Sequence, residues 1–252
     1  MSQPLLEINV EHLITEDDEP VDNIISEKHQ RLLTEPLYTN WSGPGENRPY
    51  LVAANVGVFS SIHQSPIVPD VFLSLDVRLP DDWNTPENWK QKRYRSYFVW
   101  EYGKPPDLVI EIVSNREGGE NTSKLQRYAR IGVTYYVIFD PCQYLSSEVL
   151  IIYGLQLGRY VRLDQTYFPE IGLGLCLWEG VFEGTQTTWL RWCNRQEVLI
   201  ATGKESTETE KQRAETERER AETERQQAEV EKQRAEKLAA KLRELGIDPD
   251  SL

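Results

Sequence analysis

PPDLVIEIVS, residues 105–114, is the stretch of this sequence that decides the fold class. The Val, Ile and Leu residues after its two prolines predict a strand over 107–113. Two similar apolar runs, 69–75 and 135–139, predict further strands, and a helical pattern over 122–131 separates the last two strands. The order strand, strand, helix, strand indicates an α+β fold in which helices pack beside a mixed sheet.

The flanking sequence extends this α+β pattern in both directions. Residues 27–37 have a helical pattern, with Ser26 as the expected N-cap. Residues 148–154 and 159–163 predict a hairpin that turns around Gly158.

Two carboxylates interrupt the apolar strand of residues 107–113. Strand alternation places Asp107 and Glu111 on the same face, but at ~3.3 Å per residue their Cα atoms lie roughly 13 Å apart. One small cation therefore does not readily bind both. Burying a carboxylate without a partner or a metal costs free energy. We therefore expect Glu111, in the strand interior, to share a cation with a carboxylate from another strand.

Asp70, at the start of the neighbouring predicted strand, is the candidate for that second carboxylate. Two carboxylates that converge from different strands form a hard-oxygen site suited to Mg²⁺ or Mn²⁺. The alternative is that Pro69-Asp70 and Pro106-Asp107 are ordinary turns that lead into strands.

Lys124 is a third candidate for the same site, 13 residues after Glu111 in the first turn of the predicted helix over 122–131. The helix dipole disfavours a lysine at this end of a helix. Its position suggests that the ammonium faces a phosphate or an activated water. The alternative is an exposed surface lysine.

Composition limits the remaining classes of protein. The 252 residues carry a formal net charge of −13 and are 39% hydrophobic, and no apolar run is long enough for a membrane span. The first ten residues lack the basic start and apolar core of a secretory signal. Three widely spaced cysteines argue against a disulfide framework, so we expect a cytoplasmic protein.

The C-terminal part of the chain has a different composition, which begins abruptly at Gly203. All seven Trp and all three Cys precede this residue, and a charged heptad-like repeat follows it. We expect a globular domain over residues 1–203 and a helical tail over 204–252, about 40 residues of which form one helix. A solvated helix is one interpretation of the tail. The other is a coiled-coil segment for self-association, anchored by Leu238, Leu242 and Leu245.

Four segments in order resemble one known family. They are VPDV at 68–71, PDLVIEIVS at 106–114, KLQRYARIGV at 124–133 and YYVIFDP at 135–141. This set is similar to the Uma-two family of endonucleases, within the PD-(D/E)XK superfamily, and the resemblance covers most of residues 20–190. It implies a restriction-endonuclease-like fold and a Mg²⁺- or Mn²⁺-dependent hydrolase that cuts the phosphodiester bonds of DNA.

The resemblance also implies roles for individual residues. Asp70 and Glu111 would bind the metal, and the superfamily's usual lysine two residues after the Glu is here Val113. The family is thought to move that lysine to the following helix, which points to Lys124 as the catalytic base or charge stabiliser. Glu27, on the first helix, would be an auxiliary catalytic carboxylate. Asp107 belongs to the family signature and is a further catalytic candidate.

DNA as a partner requires positive charge within an acidic chain. The densest basic cluster lies between the two ligand-bearing strands, and further arginines flank Lys124. We expect DNA contacts from Lys90, Lys92, Arg93, Arg95, Arg116 and Arg127. Binding should be modest and sensitive to salt.

Other chemistries have no support in this sequence, which lacks HExxH, P-loop and GxSxG motifs. The functional alternative is a catalytically silent nuclease-like module that binds or assembles partners through its helical tail. A homodimer, with the tail as the self-association segment, fits either function.

Overall fold

The computed structural model describes residues 23–45, 48–80, 82–83, 85–114 and 120–244. The chain divides into two compact units, residues 1–202 and residues 203–252. The second unit begins at Gly203, the residue at which the composition changes. None of the helices in the described ranges is long and apolar enough to cross a bilayer.

The first unit contains both helices and strands. Its helices are α1 (Ile24–Asn40), α2 (Pro86–Trp89), α3 (Val99–Tyr102) and α4 (Leu125–Ile131). A 3₁₀ turn spans Lys92–Tyr94 and a π-helical turn spans Glu120–Lys124. The strands are β1 (Tyr50–Ala54), β2 (Val58–Phe59), β3 (Val71–Leu75), β4 (Tyr97–Phe98), β5 (Leu108–Ile112), β6 (Tyr135–Phe139), β7 (Leu150–Gln156), β8 (Arg159–Leu163), β9 (Tyr167–Phe168), β10 (Leu173–Phe182) and β11 (Thr185–Cys193).

A mixed sheet forms the centre of this unit. Within the described residues it has six strands in the order β1-β3-β5-β6-β7-β8, and β5 and β6 are its parallel pair. Parallel strands need a crossover connection, and here the connection contains α4. Strands β9, β10 and β11 form a separate antiparallel sheet. The α+β class is confirmed, and the arrangement is the restriction-endonuclease-like one that the resemblance implied.

The two faces of β5 contact different parts of the core, as its alternation predicts. Leu108, Ile110 and Ile112 belong to a buried cluster that includes Leu33 and Leu37 of α1. On the opposite face, Val109 packs in a second cluster with residues of α4 and β6. Every residue of β5 is buried, including Glu111. The predicted division of faces is confirmed, and it directs Glu111 towards the α4 side of the sheet.

The start of α1 differs from the prediction. The N-cap is Asn23, whose Oδ1 accepts hydrogen bonds from the N–H groups of Ile25 (2.9 Å) and Ser26 (3.0 Å). Ser26 is instead a buried residue of the first turn. The prediction was wrong because Asn and Ser are comparable capping residues, and the local sequence offers both.

The cysteine prediction was wrong in one respect. Cys176 of β10 and Cys193 of β11 form a disulfide, whereas Cys142 is free and exposed. The register of the β10–β11 ladder pairs Cys193 with Gly174, so the two cysteines lie diagonally across adjacent strands. Their separation of 17 residues gave no sign of this proximity, because strand pairing creates it.

The second unit contains α5 (Gly203–Glu244), a helix of 42 residues. The predicted long helix is confirmed. Val230 and Leu238 are exposed, while Leu245 and the side chain of Leu242 lie outside the described residues. Self-association through this helix therefore stays a prediction.

Candidate functional site

Asp70 and Glu111 meet across the antiparallel ladder of β3 and β5. The ladder pairs Val71 with Ile110, so Asp70 and Glu111 lie one residue beyond that pair, on the same face. Opposed residues of antiparallel strands have Cβ atoms ~5 Å apart. Asp70 Oδ2 also accepts a hydrogen bond of 2.6 Å from the N–H of Ile112, which fixes Asp70 against β5. Strand pairing thus brings together the two carboxylates that the sequence suggested as metal ligands.

Glu111 is a buried carboxylate with a partner for each oxygen. Its exposed fraction is 1%. Oε2 accepts from Lys124 Nζ at 2.8 Å, and Oε1 accepts from the hydroxyl of Tyr128 at 2.5 Å. Burial and the negative charge of Asp70 raise the pKa of Glu111 to about 8, although Lys124 and Tyr128 favour the ionised form. A cation near both carboxylates would reverse this shift, because it stabilises negative charge.

Lys124 is held by two carboxylates. Its Nζ lies 2.8 Å from Glu111 Oε2 and 3.2 Å from Glu120 Oε1. Burial alone would lower the pKa of Lys124, but the neighbouring charges of Glu111, Glu120 and Asp70 raise it above its ordinary value. Lys124 is therefore an ammonium at neutral pH. An ammonium can orient a water or stabilise negative charge, but it has no free electron pair with which to accept a proton.

Two residues of this site were missed in the sequence analysis. Glu120 and Tyr128 lie four residues before and four residues after Lys124. Residues at i and i+4 share one face of a helix, so the π-helical turn and α4 present all three towards Glu111. The helical spacing around Lys124 was the available signal.

Helix α1 contributes an amide to the site. Gln30 Nε2 donates to Asp70 Oδ1 at 3.3 Å and to Asn55 Oδ1 at 3.2 Å, and Asn55 returns a hydrogen bond of 3.0 Å to Gln30 Oε1. Gln30 is buried. The paired amides link α1 to Asp70, so the position of this carboxylate is set by both α1 and β5.

The arrangement suits a small divalent cation. Asp70 and Glu111 offer hard carboxylate oxygens that converge from adjacent strands, which is the donor type that Mg²⁺ and Mn²⁺ prefer. No group of three or more His, Cys, Asp or Glu side chains is arranged to hold an ion in the described part of the chain. Mg²⁺ commonly binds through one or two carboxylates and keeps several waters, so two ligands fit it.

A family comparison agrees with this geometry. The model of the Uma2 (Uma-two) family, described as "Putative restriction endonuclease", matches residues 18–169. The chain belongs to the Uma2 family. The matched region contains Asp70, Glu111 and Lys124 and ends before α5. The chain matches none of the curated proteins and none of the solved structures with which it was compared.

Two catalytic candidates of this Uma2 domain have other contacts. Glu27 forms an ion pair of 2.6 Å with Arg31, and about half of its side chain is exposed. Arg31 in turn pairs with Glu183 in the turn between β10 and β11. It is Gln30, rather than Glu27, that extends from α1 to Asp70.

Asp107 lies at the opposite end of β5 from Glu111. Its Oδ2 accepts from Lys104 Nζ at 2.6 Å and from the N–H of Leu75 at 2.7 Å. These contacts join the start of β5 to the end of β3. The structure therefore gives Asp107 a structural role in the described chain and does not bring it to the carboxylate pair.

The candidate DNA-contacting residues of the Uma2 domain have different surroundings. Lys90 and Arg95 are exposed, whereas Lys92 and Arg93 are partly buried, and Arg93 pairs with Glu101 at 3.1 Å. Arg127 donates to two backbone carbonyls of the 65–66 segment, at 2.8 and 2.9 Å. Arg116 lies outside the described residues.

Proposed function

We propose that this chain is a DNA endonuclease that hydrolyses phosphodiester bonds with Mg²⁺ or Mn²⁺. One observation carries the proposal, namely the pairing of Asp70 with Glu111 across β3 and β5 while Lys124 contacts Glu111. Its membership of the Uma2 family, described as "Putative restriction endonuclease", supports the same reaction class.

Each side chain has a distinct task in this reaction. Asp70 and Glu111 would hold the divalent cation. A bound cation of this kind supplies a water of lowered pKa and neutralises charge on the phosphate. Lys124 contributes its ammonium as a charge stabiliser, next to the negative charge that develops on the phosphoryl oxygens. Tyr128 orients Glu111 through the hydrogen bond to Oε1, and Oε2 is the oxygen that contacts Lys124.

DNA binding is assigned to the exposed basic residues. Lys90 and Arg95 lie around α2 and the 3₁₀ turn, between the strands that carry the two ligands. We expect Lys90→Ala and Arg95→Ala to weaken DNA binding for all sequences alike. A plot of the logarithm of the DNA-binding constant against the logarithm of the salt concentration has a slope that reflects the number of phosphate contacts. Each substitution should reduce the magnitude of this slope by about 1, because each removes one phosphate contact. An unchanged salt slope would remove the residue from the DNA interface.

A second candidate function is a silent binding or assembly module. Both oxygens of Glu111 already have partners within the protein, and an exposed helix of 42 residues is available for partners. A module of this kind would bind neither Mg²⁺ nor Mn²⁺ at Glu111.

Plasmid nicking at low salt with Mg²⁺ or Mn²⁺ tests the endonuclease. The variants are Glu111→Gln and Lys124→Met, and the matched control is Glu148→Gln, which removes a carboxylate from an exposed ion pair with Arg162. We expect the wild type and the control to nick the plasmid. Lys124→Met should be slower by about 10²–10³, the effect of removing one charge-stabilising group. Glu111→Gln should also be slower, because it removes one of the two carboxylates that would hold the cation.

The outcomes separate the two functions. Cleavage by the Lys124→Met variant at the wild-type rate would support the endonuclease function but exclude a catalytic role for Lys124. No cleavage with either metal, together with no Mn²⁺ binding by calorimetry, would overturn the endonuclease in favour of the binding module. Thermal unfolding of each variant shows whether a loss of cleavage reflects loss of the fold.

A further inference from the structure

Glu120 is a buried carboxylate with incomplete hydrogen bonding. It is 5% exposed and begins the π-helical turn that ends at Lys124. Its backbone oxygen accepts from the Tyr136 hydroxyl at 2.8 Å, which fixes the start of the turn against β6. Oε1 contacts Lys124 Nζ at 3.2 Å, whereas Oε2 has no hydrogen-bond partner in the described part of the protein. A buried carboxylate oxygen in this state costs free energy, so it requires an explanation.

The explanation lies in the two partners of Lys124. The ammonium contacts Glu111 Oε2 at 2.8 Å and Glu120 Oε1 at 3.2 Å. A divalent cation on Glu111 would place a second positive charge at the same carboxylate and would repel the ammonium. Lys124 then needs another acceptor within reach, and Glu120 is the carboxylate already in contact with it.

We propose that Glu120 is a positioning residue that keeps Lys124 beside the scissile phosphate when a cation occupies Glu111. This inference rests on the proposed endonuclease and names a residue for its mechanism. An ammonium has three N–H donors. One or two of them can bind the oxygens of Glu120, including Oε2, and the remainder can face the substrate. Glu120 thus provides the acceptor that Glu111 gives up to the cation.

The alternative is that Glu120 is a third metal ligand. The described residues contain no group of three such side chains arranged around a common point. Glu120 instead contacts the lysine, at the i,i+4 spacing of a helical ion pair. The geometry therefore favours positioning of Lys124 over direct coordination.

A double-mutant cycle in the full-length chain tests the proposal. The variants are Glu120→Gln, Lys124→Met and the double variant, with Glu148→Gln as the matched control for loss of a carboxylate. Two quantities are measured, the single-turnover cleavage rate with Mn²⁺ and the dissociation constant for Mn²⁺ in the absence of DNA. A residue that acts through Lys124 should show strong coupling with it in such a cycle.

We expect Glu120→Gln to lower the cleavage rate by about 10-fold or more, the effect of a misplaced charge-stabilising group. Its Mn²⁺ dissociation constant should stay within about threefold of the wild-type value. In the Lys124→Met background, Glu120→Gln should change the rate by less than about twofold, since no ammonium is left to position. Glu120→Asp keeps the charge on a shorter stem and should retain more activity than Glu120→Gln.

Three results would overturn the inference. The first is a Glu120→Gln variant that cleaves at the wild-type rate. The second is a loss of Mn²⁺ affinity of more than about 10-fold that persists in the Lys124→Met background, since this identifies a ligand. The third is a wild-type protein that neither binds Mn²⁺ nor cleaves, which overturns the endonuclease itself and this role with it. If Glu120→Gln does not fold, Glu120→Asp is compared with Lys124→Met. Glu120→Asp keeps the carboxylate and should lose less of the cleavage rate than Lys124→Met, so equal losses of rate would contradict positioning.

Discussion

Tyr128→Phe should destabilise the metal-free protein in a manner that depends on pH. The substitution removes one hydroxyl and leaves the ring in its buried position in α4, so it creates little empty volume. The lost hydroxyl donates to Glu111 Oε1 at 2.5 Å. Without it, a carboxylate oxygen loses its hydrogen bond in a site that is 1% exposed.

The expected magnitude follows from the charge of the acceptor. A hydrogen bond to a charged group contributes ~1.5–3 kcal/mol, and one between neutral groups ~0.5–1.5 kcal/mol. Because the pKa of Glu111 is raised to about 8, Glu111 is mainly ionised at pH 9 and mainly protonated at pH 6. The loss should therefore be about 1.5–3 kcal/mol at pH 9 and about 1 kcal/mol at pH 6. For a unit of this size, the larger loss lowers Tm by roughly 3–12 °C.

Urea unfolding of the metal-free chain at the two pH values provides the measurement. The matched control is Tyr160→Phe, because the Tyr160 hydroxyl donates to a neutral acceptor, the carbonyl of Val133, at 2.8 Å. The control should lose about 0.5–1.5 kcal/mol at both pH values. Equal losses for Tyr128→Phe at pH 6 and pH 9, or a loss no larger than that of the control at pH 9, would refute the reasoning.

Two further predictions concern other buried groups. Burial lowers the pKa of His29 to about 4 from an ordinary value of 6.5, so the unfolded chain binds a proton that the folded chain does not between these values. Neutral His29 therefore makes its full contribution to the free energy of unfolding above pH 6.5. This contribution is lost as pH falls towards 4, by at most about 1.4 kcal/mol per pH unit. His29→Phe should remove this part of the pH dependence in chemical denaturation, and identical pH profiles would contradict the assignment. Cys176→Ser should lower the stability by about 2–4 kcal/mol without a reductant, because it opens the disulfide with Cys193. A reductant should abolish the difference in stability between Cys176→Ser and the wild type. Cys142→Ser is the control, because it replaces a free thiol. A difference in stability that persists with the reductant would assign the effect to packing.

Local patterns in the sequence were sufficient for much of the fold. The two faces of β5 followed from the period-2 alternation of its side chains. The long helix α5 followed from the charged, helix-forming composition after Gly203. The hairpin of β7 and β8 followed from two strand-like runs around Gly158, which has a positive φ of 77°. Each of these features depends on residues that are close in the chain.

The candidate site was predictable in part. Glu111 and Lys124 were selected because a carboxylate inside an apolar strand and a lysine at a helix start contradict local preference. Asp70 was selected because it lies at the start of the neighbouring predicted strand. Gln30 could not be chosen in the same way. Which residue of α1 faces Asp70 depends on how that helix rotates and packs on the sheet, and Glu27, three residues earlier, has the chemistry more often associated with such a site.

The sequence by itself determined the central strands and helices, the two faces of β5 and the residues whose chemistry was out of place. Tertiary structure decided which of those residues meet. The β3–β5 register brought Asp70 to Glu111, and the packing of α4 on β5 placed Tyr128 and Lys124 on the two oxygens of Glu111. The pairing of β10 with β11 joined two distant cysteines. Propensity and periodicity act over a few neighbouring residues, whereas these contacts depend on strand register and helix packing, which the whole chain determines.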